Sequence, residues 1–361
     1  MNILFLSGDL CDGGAQRVIA RISSQIAEDG HNVTLYVFSR SKKDYHVSEK
    51  VKIIYMCENA EEYNHFSHIK RLLLIRRILK IVNPDVAIGF LQAGYALYFS
   101  SFGMHIPCVA SARVSPEKIQ NSKGLFSSIN RFWFKHSNAV VLQNNEQLEL
   151  AKNYGWRNMY VIPNPLDDLF LNSVKKEYHN DICKKFVMVG RLVNQKNYKL
   201  AIDAISKMHS CNPDVTLDIF GEGDMKCILQ EYICNNKLDG VINLRGWSEN
   251  ILYELIKYDA YLLTSDFEGQ PNSLMEAMAL GLPCISTSCR TGPKDLISKE
   301  NGILIDTNNV DQLISSINKL INMDKTARKN MGEKARFDMI NSYNVKKIAS
   351  KWEEMFKDLL N

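Results

Sequence analysis

Short apolar runs separated by amphipathic stretches extend along almost the whole chain. In the first half these runs are rich in β-branched residues and are continuous rather than alternating. Continuous apolar runs are typical of parallel strands that are buried on both faces of a sheet. Helical patterns lie between them, as at 15–29 and 67–82. We predict strands in this half at 3–7, 33–38, 51–56, 85–90, 107–112, 139–144 and 159–163.

The second half repeats the same alternation. We predict its strands at 186–190, 216–221, 241–246, 260–265, 283–288 and 302–305. We predict its helices at 197–210, 224–236, 249–258, 272–280, 308–321 and 325–340. Two βα arrays in tandem predict an α/β fold of two doubly wound, Rossmann-like domains, with ligand sites at the carboxyl ends of the strands.

The polar segment 164–182 separates the two arrays, because PNPLDD gives way there to NSVKKEYHND. We therefore predict one domain at 1–165 and a second at 166–343. The final segment, 344–361, contains one more amphipathic helix that no strand follows. Such a helix has to bury its apolar face against another part of the molecule.

Composition narrows the class of protein. The chain has 361 residues, more than one ordinary core needs, with 45% hydrophobic and 23% charged residues. No apolar run approaches the roughly 18–20 residues that cross a bilayer. The first ten residues lack a basic segment and predict a buried strand rather than a signal peptide. Nine cysteines without a Cys-x-x-Cys pair indicate reduced thiols rather than disulfides or a zinc site.

The positive charge is confined to the first half. Residues 1–168 carry 19 lysines and arginines against 15 aspartates and glutamates, whereas residues 169–361 carry 25 of each. This surplus is too small for a protein that binds duplex DNA, so we expect no nucleic-acid partner. It suits a domain that meets an anionic surface or substrate.

A glycine pair follows the first predicted strand. Gly13 and Gly14 precede a helix that contains Ala15 to Glu28. Glycines there let the backbone approach a ligand and leave helix N–H groups for an anion, although a flexible loop has the same composition. The loop is not a Gly-x-Gly-x-x-Gly turn, which argues against a nicotinamide-dependent dehydrogenase. The second strand also ends in Phe38-Ser39-Arg40 rather than in an acid.

Two cations follow the strand at 186–190. Arg191 and Lys196 lie on one loop beside Asn194, Gln195 and Asn197. Such a pair can neutralise a diphosphate leaving group, which gains negative charge in the transition state. The alternative for this segment taken alone is a solvated basic loop.

Two acids bracket a tight turn at 268–276, which reads EGQPNSLME. Glu268 is placed at the end of an apolar strand, and Glu276 one turn into the next helix. A helix start after a strand supplies N–H groups for a phosphate, and Glu276 can accept from two ribose hydroxyls. The alternative is an ordinary helix with an acidic residue near its start.

Several segments together resemble the retaining glycosyltransferases of family 4, which have the GT-B fold. The resemblance implies two Rossmann-like domains facing a central cleft, the first binding the acceptor and the second the nucleotide sugar. It also implies that the last helix crosses back to the first domain. The segments are, in order, GGAQRV, GRLVNQKNYKLAIDAI, LDIFGEGD, INLRGWSENI, SDFEGQPNSLMEAMALGLPCISTSCRTGPKDLI and NGILI.

The resemblance also implies roles for individual residues. Glu268, Arg191 and Lys196 would be catalytic, with Glu268 holding the donor sugar and the two cations the diphosphate. Arg113 occupies a place where the family often has a basic residue that faces the sugar. Some members have a histidine after the same strand, where this chain has Ala112-Arg113, so a histidine contact to the donor sugar would be absent. Trp247 to Asn250 would lie near the nucleobase, and Glu276 would bind the ribose. The implied donor-binding residues are Gly14, Arg113, Trp247, Asn250, Gly269, Asn272, Ser273, Leu274 and Glu276.

We therefore predict an enzyme that transfers a hexose or N-acetylhexosamine from a UDP-sugar to a glycan or lipid-linked acceptor. The resemblance implies no cofactor and no metal, and the chain has no Asp-x-Asp motif. We expect it in the cytoplasm, at the inner face of the plasma membrane. The segment 68–84 and the stretch 131–136 would dock on anionic lipid, or else form ordinary core-packing helices with a basic edge. Their cations are Lys70, Arg71, Arg76, Arg77, Lys80, Arg131 and Lys135.

Two other functions are compatible with paired Rossmann-like domains. A dinucleotide-dependent oxidoreductase would need the glycine turn and the acid after strand two that this chain lacks. A non-catalytic subunit that binds nucleotide sugars would not need to keep Glu268, Glu276, Arg191 and Lys196 together. These four residues favour the enzyme.

Overall fold

A computed structural model describes residues 1–11, 13–90, 93–171, 177–178 and 182–361. The chain divides into two compact units. Unit 1 consists of Met1–Pro165 and Val345–Asn361, and unit 2 of Leu166–Asn344. Most of the polar segment 172–181, on which the predicted domain boundary rests, lies outside the described residues.

Unit 1 is built on a parallel sheet, which has seven strands in the described part of the chain, in the order β3-β2-β1-β4-β5-β6-β7. The central strand β1 pairs Ile3 with Val33 on one side and with Val86 on the other. The strand order reverses at β1, as in doubly wound folds. The strands are β1 Asn2–Ser7, β2 Asn32–Ser39, β3 Lys52–Cys57, β4 Val86–Phe90, β5 Cys108–Ser111, β6 Ala139–Leu142 and β7 Met159–Val161.

Helices connect these strands. The patterns at 15–29 and 67–82 correspond to α1 and α3. A Ser67 hydroxyl that accepts from the Lys70 N–H starts α3, and Asn83 in the left-handed conformation ends it. The helices of this unit before residue 165 are α1 Gly14–Glu28, α2 Ala60–His65, α3 His68–Val82, α4 Ala93–Ser100, α5 Pro116–Asn121, α6 Leu125–His136 and α7 Asn145–Lys152.

The last helix of the chain, α16 Val345–Leu360, belongs to unit 1. Its fully buried Trp352 packs against Phe5 and Phe90, with ring centroids 6.4 and 6.1 Å away. Ile348 and Phe356 enter the same core cluster as the α1 side chains. The prediction that this helix returns to the first domain is confirmed.

Unit 2 is built on a second parallel sheet, with six strands among the described residues in the order β10-β9-β8-β11-β12-β13. Its order also reverses, between β8 and β11, which places a switch point at the carboxyl ends of those two strands. The strands are β8 Lys185–Val189, β9 Thr216–Phe220, β10 Ile242–Gly246, β11 Ala260–Leu263, β12 Cys284–Thr287 and β13 Ile303–Ile305.

The helices predicted for unit 2 are all present, and two short ones, Asp168–Leu171 and Pro293–Leu296, were not predicted. The helix predicted at 249–258 is only Ile251–Leu255, and the strand predicted at 260–265 ends at Leu263. Beyond Leu263, the Thr264 hydroxyl bonds to the turn after β8, and the Ser265 backbone oxygen accepts from the Thr287 hydroxyl of the neighbouring strand. The helices are α8 Asp168–Leu171, α9 Tyr198–His209, α10 Lys226–Asn235, α11 Ile251–Leu255, α12 Asn272–Ala279, α13 Pro293–Leu296, α14 Val310–Asn322 and α15 Lys325–Tyr343.

The α/β fold class of two parallel Rossmann-like sheets is thus confirmed. Across the described ranges, we find no helix with the length and apolar character that spanning a membrane requires.

Candidate active site

The loop after β8 is held in place by close backbone packing. The chain leaves the strand at Gly190 and makes a 3₁₀ turn over Asn194–Lys196. A Cβ atom at Gly221 would lie 1.9 Å from the Gly190 carbonyl oxygen, and one at Gly223 would lie 2.5 Å from that of Leu192. The Gly-Glu-Gly segment after β9 therefore needs glycine at 221 and 223, because a side chain at either position would collide with the backbone of the loop after β8.

Lys196 and Glu268 meet although 72 residues separate them in the sequence. Lys196 Nζ lies 2.7 Å from Glu268 Oε1, and the side chains are only 15% and 8% exposed. The Ser265 hydroxyl donates to the same oxygen at 2.6 Å. An ion pair this buried is costly to break from one side, because the remaining charge loses its partner.

Arg191, by contrast, has an exposed side chain. Within the described ranges, its guanidinium has no hydrogen-bond or ion-pair partner, while its backbone oxygen accepts from the Tyr198 hydroxyl at 3.3 Å. The two predicted cations therefore differ: Lys196 is fixed by an acid, and Arg191 remains available at the surface of the loop.

Glu268 lies in the loop between β11 and α12 rather than at a strand end, because β11 stops five residues earlier. The Thr291 hydroxyl donates to its backbone oxygen. Gly292, with φ of +96°, approaches closely enough that a Cβ there would lie 2.8 Å from the Gly269 oxygen. This packing fixes the turn that carries Gly269.

Helix α12 begins at Asn272 directly after Pro271. The Ser273 hydroxyl accepts from the Tyr261 hydroxyl at 2.8 Å. The Leu274 N–H donates to the Pro271 oxygen at 3.1 Å, and its side chain is fully buried. Asn272 and Ser273 are the first two residues of α12, so their amides lie at the amino-terminal end of its dipole. The Leu274 N–H is therefore already used at the helix start, and the predicted contact of Leu274 with the donor stays a prediction.

Two buried tyrosines support this region. Burial raises the pKa of Tyr198, and the charge of Glu268 adds to the rise. Burial also raises the pKa of Tyr261. Both phenols therefore stay protonated. Tyr198 donates to the Arg191 oxygen at 3.3 Å, and the single Tyr261 proton is shared between the Ser273 hydroxyl at 2.8 Å and the Val189 oxygen at 3.3 Å. Glu276, 4% exposed, lies on the next turn of α12.

Trp247 and Asn250 lie in the loop between β10 and α11. Trp247 is 61% exposed and lines a groove of about 850 Å³. At one wall of this groove, Asp218 accepts from Asn243 at 2.7 Å, Arg245 at 2.8 Å and Tyr258 at 2.6 Å.

Sequence reasoning missed the Asp218 cluster. Burial acts to raise the pKa of the Asp218 carboxyl, but the hydrogen bonds from Tyr258, Asn243 and Arg245 outweigh it and hold the pKa below its usual value. The available signal was an aspartate inside the apolar strand TLDIF, which demands buried partners.

Two predicted donor-binding residues lie in unit 1. Gly14 is already the first residue of α1, so only Gly13 precedes the helix. Arg113 follows β5 and is 8% exposed. Its Nε donates to Ser111 at 2.9 Å and its Nη1 to Asn164 at 2.8 Å. Its Nη2 is buried and has no hydrogen-bond partner in the described part of the chain.

The surroundings of Arg113 are aromatic rather than acidic. Its guanidinium lies 5.0 Å from the Phe90 ring centroid and 5.6 Å from that of Trp352. Burial lowers the pKa of Arg113 to about 9, and no neighbouring carboxylate contributes. Arg113 thus carries a charge that the described residues do not neutralise.

A second group of residues joins the loops of unit 2, and sequence reasoning did not single out two of its members, Thr264 and Asp266. The Thr264 hydroxyl donates to the backbone oxygens of Lys196 and Asn197, and the Asn197 side chain donates to Asp266.

Within the described ranges, no group of three or more His, Cys, Asp and Glu residues is placed to hold a metal ion.

Two family models match the chain. The one described as "Glycosyltransferase Family 4" matches residues 12–168, and "Glycosyl transferases group 1" matches residues 172–338. The chain is 25% identical to the amylovoran biosynthesis glycosyltransferase AmsD of Erwinia amylovora, over 98% of both chains. It is 23% identical to a UDP-Gal:alpha-D-GlcNAc-diphosphoundecaprenol alpha-1,3-galactosyltransferase of Escherichia coli, over 96% of this chain and 94% of that one.

Solved structures agree in fold. TarM superimposes with a TM-score of 0.83 at 16% identity, covering 99% of both chains. Anabaena HepE in complex with UDP gives a TM-score of 0.79 at 18% identity, covering 99% of this chain and 100% of that one. With the two family models matching consecutive halves, the chain belongs to the family 4, group 1 glycosyltransferases of the GT-B fold.

Proposed function

We propose that this glycosyltransferase transfers a hexose or N-acetylhexosamine from a UDP-sugar, with retention of anomeric configuration, to a lipid-linked glycan acceptor. The observation that carries the proposal is the buried contact between Lys196 and Glu268 beside the start of α12. It joins a cation for a leaving diphosphate to an acid for sugar hydroxyls, at the switch point of a parallel sheet.

Each residue of unit 2 takes a role that its position allows. Arg191 and Lys196 stabilise the departing diphosphate, and Glu268 accepts from hydroxyls of the donor sugar. Glu276 accepts from the ribose hydroxyls. The amides of the turn and helix start hold phosphate oxygens, with Trp247 and Asn250 against the nucleobase. The residues that supply these amides are Gly269, Asn272 and Ser273.

The chemical step is a front-face substitution at the anomeric carbon. The bond from that carbon to the diphosphate oxygen breaks while the acceptor oxygen bonds to the same face. The acceptor proton passes to an oxygen of the leaving phosphate. The charge of the leaving group falls on Arg191 and Lys196, so we propose that the step proceeds without a metal ion.

The relatives support the substrate class. One Escherichia coli relative is named for a UDP-Gal donor and a diphosphoundecaprenol-linked acceptor. Neighbouring structures were solved with UDP. In unit 1, Gly14 at the start of α1 and Arg113 would contact the donor. The uncompensated charge of Arg113 suits an anionic group of that donor better than a neutral hydroxyl.

A surface of unit 1 supports a lipid-linked acceptor held at a membrane. Along α3, residues spaced by four lie on one side and are exposed, with Ile69 at 71%, Leu73 at 62% and Ile81 at 62%. Exposed apolar residues beside cations are typical of interfacial helices. We define this basic patch by the exposed residues Ile69, Leu73, Arg77, Lys80, Ile81, Phe102, Lys123, Leu125, Phe126 and Lys135.

Contacts between elements make the patch continuous. The His68 and Phe126 rings lie 5.3 Å apart, which joins α3 to α6, and Arg76 donates to the Phe102 oxygen at 2.8 Å. Arg71, Arg76 and Arg131 donate to backbone oxygens within unit 1, so they are partly used by the fold. Lys70 lies over the Phe66 ring. We propose that the remaining cations meet anionic headgroups on the cytoplasmic face of the membrane.

A donor screen tests the enzymatic proposal. UDP-glucose, UDP-galactose and their N-acetyl forms are each incubated with the protein and a diphosphoundecaprenol-linked sugar, with UDP release as the readout. We expect release with one or two donors, an axial anomeric linkage in the product by NMR, and full activity in EDTA. UDP release from none of them, together with no UDP binding in calorimetry, would overturn the proposal.

A further inference from the structure

Two loops of unit 2 are joined by hydrogen bonds that the proposed chemistry does not itself require. The first is the turn after β8, which carries Lys196. The second follows β11 and carries Glu268. The bonds between them involve Thr264, Gln195, Asn197 and Asp266, none of which we expect to touch the donor.

Thr264 is the centre of this junction. It follows the last residue of β11 and is 1% exposed. Its Oγ1 lies 3.0 Å from the Lys196 oxygen and 2.9 Å from the Asn197 oxygen, so one hydroxyl is shared between the two carbonyls. The backbone on which Lys196 stands is therefore fixed to the end of a central strand.

Asn197 makes the second connection. Its backbone is left-handed, with φ of 46° and ψ of 50°, a conformation that asparagine tolerates better than most residues. Its Nδ2 donates to Asp266 at 2.9 Å and to Asn308 at 2.7 Å. This residue ends the 3₁₀ turn and ties it to the second loop at the same time.

Gln195 closes the junction from its other side. Its side chain donates to the Phe267 oxygen at 2.8 Å, and its own backbone oxygen accepts from the Asp266 N–H at 2.9 Å. The turn is thus bonded to the second loop at three consecutive residues, 195–197. A displacement of the turn would move Lys196 Nζ with it, away from Glu268.

We propose that Thr264 and Asn197 are positioning residues that set where Lys196 meets the second phosphate of the donor. The assignment rests on the proposed use of a nucleoside diphosphate sugar. Fixed placement matters here because a preorganised cation stabilises developing charge without a reorganisation cost during the reaction. The residues act through Lys196 and do not touch the substrate.

The test compares UDP with UMP, which lacks the phosphate that Lys196 would meet. Both are titrated into the wild type and into Thr264→Val, which keeps the shape but removes the donor hydroxyl. We expect Thr264→Val to weaken UDP binding at least fivefold and UMP binding less than twofold. Thr264→Ser keeps a hydroxyl at this position. Its ratio of UDP affinity to UMP affinity should therefore lie within twofold of the wild-type ratio.

Asn197→Gly provides a second route, because glycine keeps the left-handed backbone while removing the side-chain bonds. It should also lower the preference for UDP over UMP. If circular dichroism shows that Thr264→Val does not fold, Asn197→Gly alone tests the positioning role. An unchanged preference in folded variants, even with a lower melting temperature, would overturn the positioning role and leave the donor proposal intact. Failure of the wild type to bind UDP would overturn the donor proposal itself.

Discussion

At the scale of single residues, the candidate site depends on how charges are compensated. Lys196 has three N–H donors, of which Glu268 takes one, so the same ammonium can keep its acid and also bind a phosphate oxygen. Arg113 lacks any such acid among the described residues. The first arrangement is complete without substrate, whereas the second has a charge left to satisfy.

Alanine variants of Lys196 and Glu276 should affect different kinetic constants, kcat for the first and the donor KM for the second. Lys196→Ala should lower kcat at least tenfold, or roughly 1.4 kcal/mol, because the leaving diphosphate loses a fixed cation. Glu276→Ala should mainly raise the donor KM, since ribose contacts are equal in ground and transition states. Steady-state kinetics of UDP release measure both. Lys199→Ala, an exposed lysine three residues further along, is the control and should leave both constants unchanged.

Arg113 should give donor binding a pH dependence of known sign. Its pKa is lowered to about 9 by burial, so its charge is present at neutral pH and is lost as pH rises through 9. If the charge meets an anionic group of the donor, affinity should fall above that pH.

The Arg113→Met variant isolates this effect from other titrations. UDP affinity measured by calorimetry from pH 7 to 10 should fall more steeply in the wild type than in the variant. Parallel profiles for the two proteins would show that Arg113 does not meet a donor phosphate.

At the scale of elements, the core of unit 1 depends on α16, a helix from the far end of the chain. Trp352 is fully buried among rings contributed by β1 and β4. Trp352→Ala should destabilise unit 1 by about 3–5 kcal/mol, because it leaves a large cavity. Urea unfolding followed by circular dichroism measures the loss. Phe337→Ala, at a 63% exposed ring of α15, should change stability by no more than about 0.5 kcal/mol.

The elements were largely predictable because the strands are continuous apolar runs such as ILFL and FVMV, which few other structures accommodate. The end of β11 was not predictable, because Thr264 has a strand-like sequence context although its hydroxyl bonds to the backbone oxygens of Lys196 and Asn197. Short α11 was overpredicted for a similar reason, since its amphipathic pattern continues beyond Leu255.

Polar clusters were the least predictable part of the site. Asp218 accepts a hydrogen bond from Tyr258, which lies 40 residues later in the chain. Arg113 donates one to Asn164, which lies 51 residues later. No local pattern encodes such pairs, because they depend on which strands become neighbours. The sequence pattern and the family resemblance both indicated Glu268 and Lys196 as site residues, and the structure adds the hydrogen bond between them.

At the scale of the whole molecule, the charge surplus is carried by unit 1. Between residues 63 and 138 there are ten lysines and arginines but only two acids, Asp85 and Glu117. The basic patch concentrates this surplus beside exposed apolar side chains. A surface of this kind binds anionic lipid through both charge and apolar insertion.

Vesicle co-sedimentation measures this binding. The protein should bind vesicles that contain about one third phosphatidylglycerol and bind pure phosphatidylcholine much less, with binding falling as salt rises. Arg77→Glu with Lys80→Glu should weaken binding at least tenfold, at about 1 kcal/mol per cation. Lys207→Glu with Lys329→Glu makes the same charge change in unit 2 and should have little effect. Equal loss in the two double variants would contradict a role for the patch itself.

The assignment of α16 to unit 1 has a consequence for synthesis on the ribosome. Unit 2 is one continuous segment, Leu166–Asn344, whereas unit 1 needs residues from both ends of the chain. The side chains of α1, β1 and β4 that pack against α16 therefore stay uncovered until Val345–Leu360 has been synthesised. We infer that unit 2 can complete its folding before unit 1, although most of unit 1 is synthesised first. Until then the incomplete core of unit 1 is accessible to chaperones.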